Sequence, residues 1–297
     1  MENSLAPGSV YGKLVRRHSQ RMQNYDFQNK TVLITGASLG IGAAFARELK
    51  RRGARLILVA RNQTRLEQLA EELGGAVVIA RDLAAPDAAR ELYETISARG
   101  LTVDVLINSA GFGSHFNFDE APLSTHRGMI DLNVTALVEL THVFLPMLER
   151  QHGGVIQLAS TAAFQPVPHM AVYAATKAFV LSFSEALWGE LRERGVRVLA
   201  LCPGATDTPF FERAGQPAAV GKKARPEDLV TLGLRAFERN RSYAIHGIGN
   251  YFTSHSSRFV PRQTTVHIAK RVMRKQELIT AAVAGLAPQA PRLPTSE

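Results

Sequence analysis

The chain has 297 residues, 45% of them hydrophobic, and a single cysteine, Cys202; that is enough apolar bulk for a large core and too little thiol for a disulfide-stapled scaffold. Its formal net charge of +9 lies in the ends, since residues 1–30 hold +3 and residues 251–297 hold +5; the near-neutral body, with no RNA-binding motif, argues against a nucleic-acid partner. No apolar run reaches the roughly 18 residues that span a bilayer, and the opening residues lack the apolar stretch of a secretory signal, so a soluble cytoplasmic protein is the expectation.

Residues 1–29 read as a flexible basic N-terminal extension, polar and loosely attached through residue 27. From Lys30 the chain alternates short β-branched runs with helical patterns. The expected strands are Thr31–Thr35, Arg55–Ala60, Ala76–Ala80, Val103–Ile107, Gly154–Leu158, Val196–Leu201 and Ser242–Ile245. Helical periodicity fills Ala43–Gly53, Gln63–Leu73, Asp87–Ala98, Arg127–Arg150 and Val172–Arg194. Several strands are apolar throughout, as suits a parallel sheet covered on both faces. The expected fold is therefore a single α/β domain over residues 30–250, a Rossmann-like doubly wound parallel sheet with ligands at the carboxyl ends of its strands.

The first strand runs into Thr35-Gly36-Ala37-Ser38-Leu39-Gly40-Ile41-Gly42 and then directly into a helix. Glycines there let the backbone turn and approach a pyrophosphate seated on the helix N-terminus. The second strand ends at Ala60 and is followed by Arg61. Enzymes of this fold that prefer NAD place a carboxylate there for the adenosine ribose. A guanidinium instead matches a 2′-phosphate, and Ser38 is placed to add a contact. Further on, Tyr173 and Lys177 stand four apart on one helix face. A cation about 4 Å away is worth about 4 kcal/mol at an effective dielectric of about 20, enough to pull a phenol toward neutrality. The stretch Leu201–Pro226 is rich in Gly, Pro and Ala and reads as a long functional loop.

In combination these motifs resemble the short-chain dehydrogenase/reductase family, from about Lys30 to Gly247. The family's glycine motif matches Gly36, Gly40 and Gly42, and its Tyr-x-x-x-Lys matches Tyr173 and Lys177. Its Ser, thirteen residues before the Tyr, is Ser160, and its helical Asn is Asn133. Its Asp after the third strand is Asp82, followed by Leu83; its Pro-Gly is Pro203-Gly204, and the Thr beyond is Thr208. One departure stands out: Asn-Asn-Ala-Gly is here Asn108-Ser109-Ala110-Gly111. The resemblance implies that Tyr173 exchanges a proton with the substrate oxygen and Ser160 hydrogen-bonds it. Lys177 then binds the nicotinamide ribose, and Asn133 holds a water linking Lys177 to solvent. Cofactor contacts are implied for Gly36, Ser38, Gly40, Ile41, Gly42, Arg61, Asp82, Leu83, Asn108, Ala110, Gly111, Tyr173, Lys177, Pro203, Gly204 and Thr208. NADP(H) is expected in preference to NAD(H), and no metal.

The segments Gly111–Phe118, Thr161–Met170 and Thr206–Gly215 offer Phe112, Phe116, Phe118, Phe164, Met170, Phe210 and Phe211 as walls for an apolar carbonyl or alcohol substrate. Ordinary core packing accounts for them equally well, and Arg213 is the one arginine in these segments. The same residues would serve alcohol oxidation, and a cofactor-binding scaffold or membrane-surface protein is the reading outside catalysis. Phe179, Val180, Phe183 and Leu187 recur at helical spacing; with the resemblance they point to a homodimer or homotetramer, and the same faces suit the core equally. Residues 251–297 form a basic, partly helical C-terminal extension. Between residues 264 and 283, Ile268, Val272, Ile279 and Val283 lie along one side, with Lys270, Arg271, Arg274 and Lys275 between them. This helix either covers the pocket, makes weak peripheral contact with an anionic membrane, or packs on the body with its basic face in water.

Overall fold

The computed structural model describes residues 24–215 and 223–283. Its strands are β1 (Thr31–Thr35), β2 (Arg55–Ala60), β3 (Val77–Ala80), β4 (Val105–Asn108), β5 (Gly154–Leu158), β6 (Arg197–Cys202) and β7 (Tyr243–Ile245). They form one wholly parallel sheet in the order β3-β2-β1-β4-β5-β6-β7. The order reverses between β1 and β4, where Val32 pairs with Val105 and Thr35 with Asn108. The carboxyl ends of those two strands open the crevice expected of a doubly wound sheet. The helices are α1 (Gly40–Arg51), α2 (Gln63–Glu72), α3 (Ala88–Ala98), α4 (Leu123–Ile130), α5 (Ala136–Arg150), α6 (Ala171–Leu191), α7 (Phe210–Ala214), α8 (Pro226–Glu238), α9 (Ile248–Ser256) and α10 (Arg262–Val283). A π-helical turn, Asp131–Thr135, joins α4 to α5.

Alternation along the strands feeds two cores. Val32 and Ile34 of β1 face Phe45 and Leu49 of α1 and Leu234 and Phe237 of α8. Leu33, between them, faces Leu92 of α3 and Leu140 and Phe144 of α5. A one-residue slip of β1 would exchange these partners, so its register is strongly specified. The run Leu123–Arg150 is long and apolar enough to cross a membrane. Its apolar side nevertheless packs on the sheet through Leu137, Leu140, Phe144 and Leu148, all buried.

Beyond shifts of one to four residues at other element ends and the added helix α9, three places differ from the reading of the sequence. Loose attachment was expected through residue 27, yet Tyr25 and Phe27 are buried against Phe237, their rings 5.3 and 5.9 Å from it. Residues 1–23 of that extension and residues 284–297 lie outside the described residues. Second, β4 begins at Val105 rather than Val103, and the carboxylate of Asp104 just before it accepts from the backbone N–H of Thr31 (2.8 Å) and from Lys30 Nζ (3.0 Å). Third, the stretch ending at Pro226 is not wholly a loop: it contains α7 and leads into α8. That helix carries Pro226 at its first position and Glu227 and Asp228 in its first turn, a start signal legible in the sequence.

Candidate active site

A cleft of about 920 Å³ lies over the carboxyl ends of the strands. At one end the backbone after β1 forms its floor. Gly36 has φ +64°, and a Cβ there would stand 2.8 Å from the backbone of Ala110, so only glycine lets the two loops meet. Gly42 does not line the cleft; a side chain on it would run into the Gly36 carbonyl, so it fixes how closely α1 approaches β1. The α1 N-terminus has no side-chain cap, leaving its first N–H groups facing the cleft beside Ser38, Gly40 and Ile41. Thr208 closes over this loop, with its Cβ 3.2 Å from where a Gly40 Cβ would be.

Arg61, Asp82 and Leu83 line the same end. Arg61 and Asp82 approach to 3.9 Å with both side chains more than half exposed, a weak pair that leaves the guanidinium able to turn to another anion. Asp82 also accepts from the N–H of Ala84 at 3.1 Å, turning the chain toward α3. The sequence reading missed Arg65 and Arg81, which also line the cleft. Arg81 is paired with Glu91. Arg65 stands in the first turn of α2, where Asn62 caps the helix by accepting from the Arg65 N–H at 2.9 Å. An Asn directly before a helical period was the available signal.

Tyr173 and Lys177 sit in the first two turns of α6, both buried and both lining the cleft. Ser160 follows β5 and caps the 3-10 turn Thr161–Phe164, its Oγ accepting from the N–H of Ala162 at 3.1 Å. Its hydroxyl proton remains available, and its side chain hydrogen-bonds with Tyr173. Lys177 Nζ donates to the carbonyl of Leu158 at 2.6 Å and lies 5.8 Å from the Tyr173 ring centroid. Proximity to a cation was expected to bring the phenol toward neutrality, and the structure corrects this. Burial pushes Tyr173 up to about 12, against which the Ser160 hydrogen bond acts. The same burial pulls Lys177 down to about 8, so the lysine itself is driven toward its neutral form. Tyr173 therefore holds its proton firmly and is arranged to give one to a more basic oxygen.

Asn133 is buried in the π-helical turn and does not line the cleft. Its amide clamps Phe112, with Oδ1 accepting from the N–H at 3.1 Å and Nδ2 donating to the carbonyl at 2.9 Å. The second Nδ2 proton goes to Thr176 Oγ1 at 3.1 Å, and Thr176 in turn donates to the carbonyl of Tyr173 at 2.7 Å. Both amide protons being used, any water held by this residue must donate to one of its oxygens. Asn108 also stays out of the cleft: its amide donates to Gln157 Oε1 (2.9 Å) and Thr141 Oγ1 (3.3 Å) in a buried network beneath the strand end. Ser109, Ala110 and Gly111 line the cleft in its place, while Pro203 and Gly204 bound it from β6. Thr161 N–H donates to the Pro203 carbonyl at 2.9 Å, which ties the loops after β5 and β6 together.

Beyond Tyr173 the lining mixes large apolar side chains with polar ones, the latter from Gln165 and from Asn250, Thr253, Ser254 and Ser256 of α9. Phe112, Met170, Phe210 and Phe211 lie there as expected. Phe116, Phe118 and Phe164 do not: the first two are exposed beside a second recess of about 330 Å³, and Phe164 packs on Tyr243 and His255. The side chain of Arg213 lies outside the described residues. The largest addition is α10, whose Thr265, Ile268, Ala269, Val272 and Met273 line the cleft, with Met273 packed beside Met129, Met170 and Tyr173. This segment forms the covering wall expected of it, with Lys270, Arg271, Arg274 and Lys275 exposed on its outer side, although the side chains of Ile279 and Val283 lie outside the described residues. Gly113 was also missed; a Cβ there would stand 2.9 Å from both Tyr173 and Phe210, so its lack of a side chain sets how those rings meet. Among the described residues no cluster of His, Cys, Asp and Glu fits a metal ion.

The sequence model of the family described as short chain dehydrogenase matches residues 30–218. The chain is 38% identical over 182 residues to a serine 3-dehydrogenase of Agrobacterium fabrum, covering 61% of this chain and 73% of that one. It is 31% identical over 229 residues to the very-long-chain 3-oxoacyl-CoA reductase of Bos taurus, covering 73% and 72%. A solved short-chain dehydrogenase from Sphingobium yanoikuyae in complex with NADPH matches with a TM-score of 0.69 at 30% identity, over 90% of this chain and 100% of that one. Other solved structures that it resembles are complexes with NADPH or with NADH.

Proposed function

The chain belongs to the short-chain dehydrogenase family and is an oxidoreductase of that family, and from this premise we propose that it uses NADP(H) to reduce an apolar ketone or aldehyde to the alcohol. The observation that carries the substrate class is the apolar compartment beside the Tyr173 hydroxyl, walled by Met170, Phe210, Phe211, Ile268 and Met273. Those apolar side chains orient a ligand by burial, while Ser160 and Tyr173 stand where its carbonyl oxygen would be held. The bovine relative, named for a very-long-chain 3-oxoacyl substrate, fits the same class.

The glycine loop and the α1 N-terminus suit a pyrophosphate: the backbone is exposed where a side chain would obstruct, and the first N–H groups are uncapped. Arg61 and Arg65, with Ala60 where a carboxylate would favour NAD, support a 2′-phosphate. Lys177 holds the ribose hydroxyls. The chemistry that bound NADPH supplies is a hydride for the carbonyl carbon. Ser160 donates a hydrogen bond to the carbonyl oxygen and Tyr173 passes its proton to that oxygen as charge develops there. Lys177 returns a proton to the phenolate. Burial holds the Tyr173 phenol in its protonated form at neutral pH, the form that donates during reduction. Asn133 keeps Phe112 and, through Thr176, the first turn of α6 in register with these groups. Phe179, exposed and stacked on Phe183 at 5.7 Å, offers a seam for a homodimer or homotetramer through α6.

A panel of ketones and aldehydes of graded apolar size, assayed by loss of NADPH absorbance, tests this reading. Bulky apolar carbonyls should be consumed with the highest kcat/KM. Turnover confined to small polar carbonyls, or NADPH formed from NADP and 3-hydroxy amino acids with no bulky carbonyl consumed, would contradict it.

A further inference from the structure

The wall that α10 gives the cleft is not closed. Ile268 and Val272 line the cleft and yet are 52% and 43% exposed, so the apolar lining continues directly onto the outer surface. Around that opening the surface is unusual. Of the thirteen large apolar side chains that stand exposed among the described residues, seven fall between Ile248 and Leu278, including Ile248 at 79%, Phe252 at 67% and Phe259 at 88%. Phe116 and Phe118 extend the rim on its far side, where they border a recess shared with Val266 and Lys270. Scattered apolar exposure is ordinary on a protein surface, but a contiguous cluster is not.

The charge is equally one-sided. Between Glu238 and Glu277 the sequence holds eight Lys and Arg and no carboxylate. Lys270, Arg271, Arg274 and Lys275 lie exposed along α10, and none has an ion-pair partner among the described residues. Elsewhere on the surface the pattern differs: Arg47, Arg51, Arg90 and Arg194 each hold a carboxylate. Aromatic and aliphatic side chains flanked by unpaired cations complement one partner chemistry in particular, an interface with anionic headgroups outside and acyl chains within.

We propose that the rim formed by α9, the 257–261 turn and α10 docks on an anionic lipid bilayer, with the cleft opening toward the acyl region so that an apolar substrate enters from the membrane. Docking does not depend on the reaction assigned above, and only the entry route rests on that reading. The two are separable because binding to vesicles is read without cofactor or turnover.

The test is co-sedimentation of the full chain with phosphatidylcholine vesicles, with and without phosphatidylserine, at low and high salt. Binding should require the anionic lipid and fall steeply with salt. Each Lys or Arg near such a surface contributes about fivefold in affinity, so Arg271→Glu/Arg274→Glu/Lys275→Glu should weaken binding by about 100-fold or more. Phe252→Ser/Phe259→Ser should weaken it at any salt. Neither variant touches the cleft, so both should reduce a water-soluble ketone at the wild-type rate. Failure of the wild type to bind, equal binding to neutral vesicles, or unchanged binding by the charge-reversed variant would overturn the proposal. So would sedimentation velocity showing, without lipid, that Phe252→Ser/Phe259→Ser splits an oligomer, since the rim would then be a contact between copies. Preference for a single-stranded oligonucleotide over anionic vesicles would also overturn it.

Discussion

The end of the cleft between β1 and α2 is built from backbone and from side chains within a few residues of a strand end, whereas the end beyond Tyr173 is partly walled by α9 and α10, contributed from late in the sequence. The first arrangement has little freedom. Gly36 meets Ala110 because β1 and β4 are hydrogen-bonded neighbours, and Arg61 stands where β2 stops. The second depends on how one helix leans over a hole, and Ile268 and Val272 remain half in water. A shared cofactor demands a fixed cradle, while a substrate that varies between relatives is served by a replaceable wall.

Between the two ends lies Tyr173, and its loss should have the largest effect. Tyr173→Phe removes only a hydroxyl, so the fold and NADPH affinity should persist while kcat falls by about 10²–10⁴, the usual worth of general acid catalysis. Stopped assays with NADPH binding measured in parallel check this. A variant retaining more than roughly a tenth of the wild-type rate would remove Tyr173 from that role.

The cradle is probed next. Ala60→Asp with Arg61→Gln introduces the carboxylate and removes a charge-assisted phosphate contact worth about 1.5–3 kcal/mol. The ratio of kcat/KM for NADPH over NADH should fall by roughly 10- to 150-fold, with the order of preference among carbonyl substrates unchanged. A shift in that order would mean that the two ends are coupled.

Met273→Ala is the reciprocal experiment. It removes part of a buried side chain worth roughly 1.5–3 kcal/mol, shared between protein and ligand contacts. KM for a bulky apolar ketone should rise about tenfold, while the Kd for NADPH, measured by fluorescence, stays at the wild-type value.

The smallest effect is on pH. Lys177, ordinarily at 10.5, is drawn to about 8 by burial. Above pH 8 the ammonium that contacts the ribose is lost, and kcat/KM for NADPH, which reports the free enzyme, should decline to a plateau about fivefold lower, near the difference between a charged and a neutral hydrogen bond. Stability should move the other way. The unfolded chain binds more protons at this lysine between pH 8 and 10.5, so its contribution to stability rises with pH across that window. Thermal melts over the same range separate the two trends, and activity that rises alongside stability would exclude a charged Lys177 from cofactor binding.

The same contrast explains what was legible in the sequence. The strands and the glycine loop could be read because apolar runs, glycines and strand ends are local signals. Tyr173, Lys177 and Ser160 could be placed because their spacing follows one helix and one strand end. The cation's effect on Tyr173 was misjudged because spacing conveys proximity but not burial, and here burial outweighs the charge. Asn133 and Asn108 carry polar groups whose partners, Phe112, Thr176 and Gln157, are set by tertiary packing. Tyr25 and Phe27 were hidden in a basic segment whose composition suggested solvent, and their place to pack is made by residues distant in sequence, Phe237 with Arg52 and Arg197. The wall built by α10 was one reading among three because an amphipathic period shows that a face is apolar without showing what it covers.

The claim that this chain transfers a hydride to an apolar carbonyl, with Tyr173 supplying the proton, is tested most directly with NADPH deuterated at the reactive carbon of the nicotinamide. After incubation with a bulky ketone, mass spectrometry should find one deuterium on the carbinol carbon of the product, formed from one of the two C4-labelled forms and not from the other, and little labelled product with Tyr173→Phe. Alcohol formed without deuterium from either labelled form, or NADPH oxidised with no alcohol produced, would contradict the account.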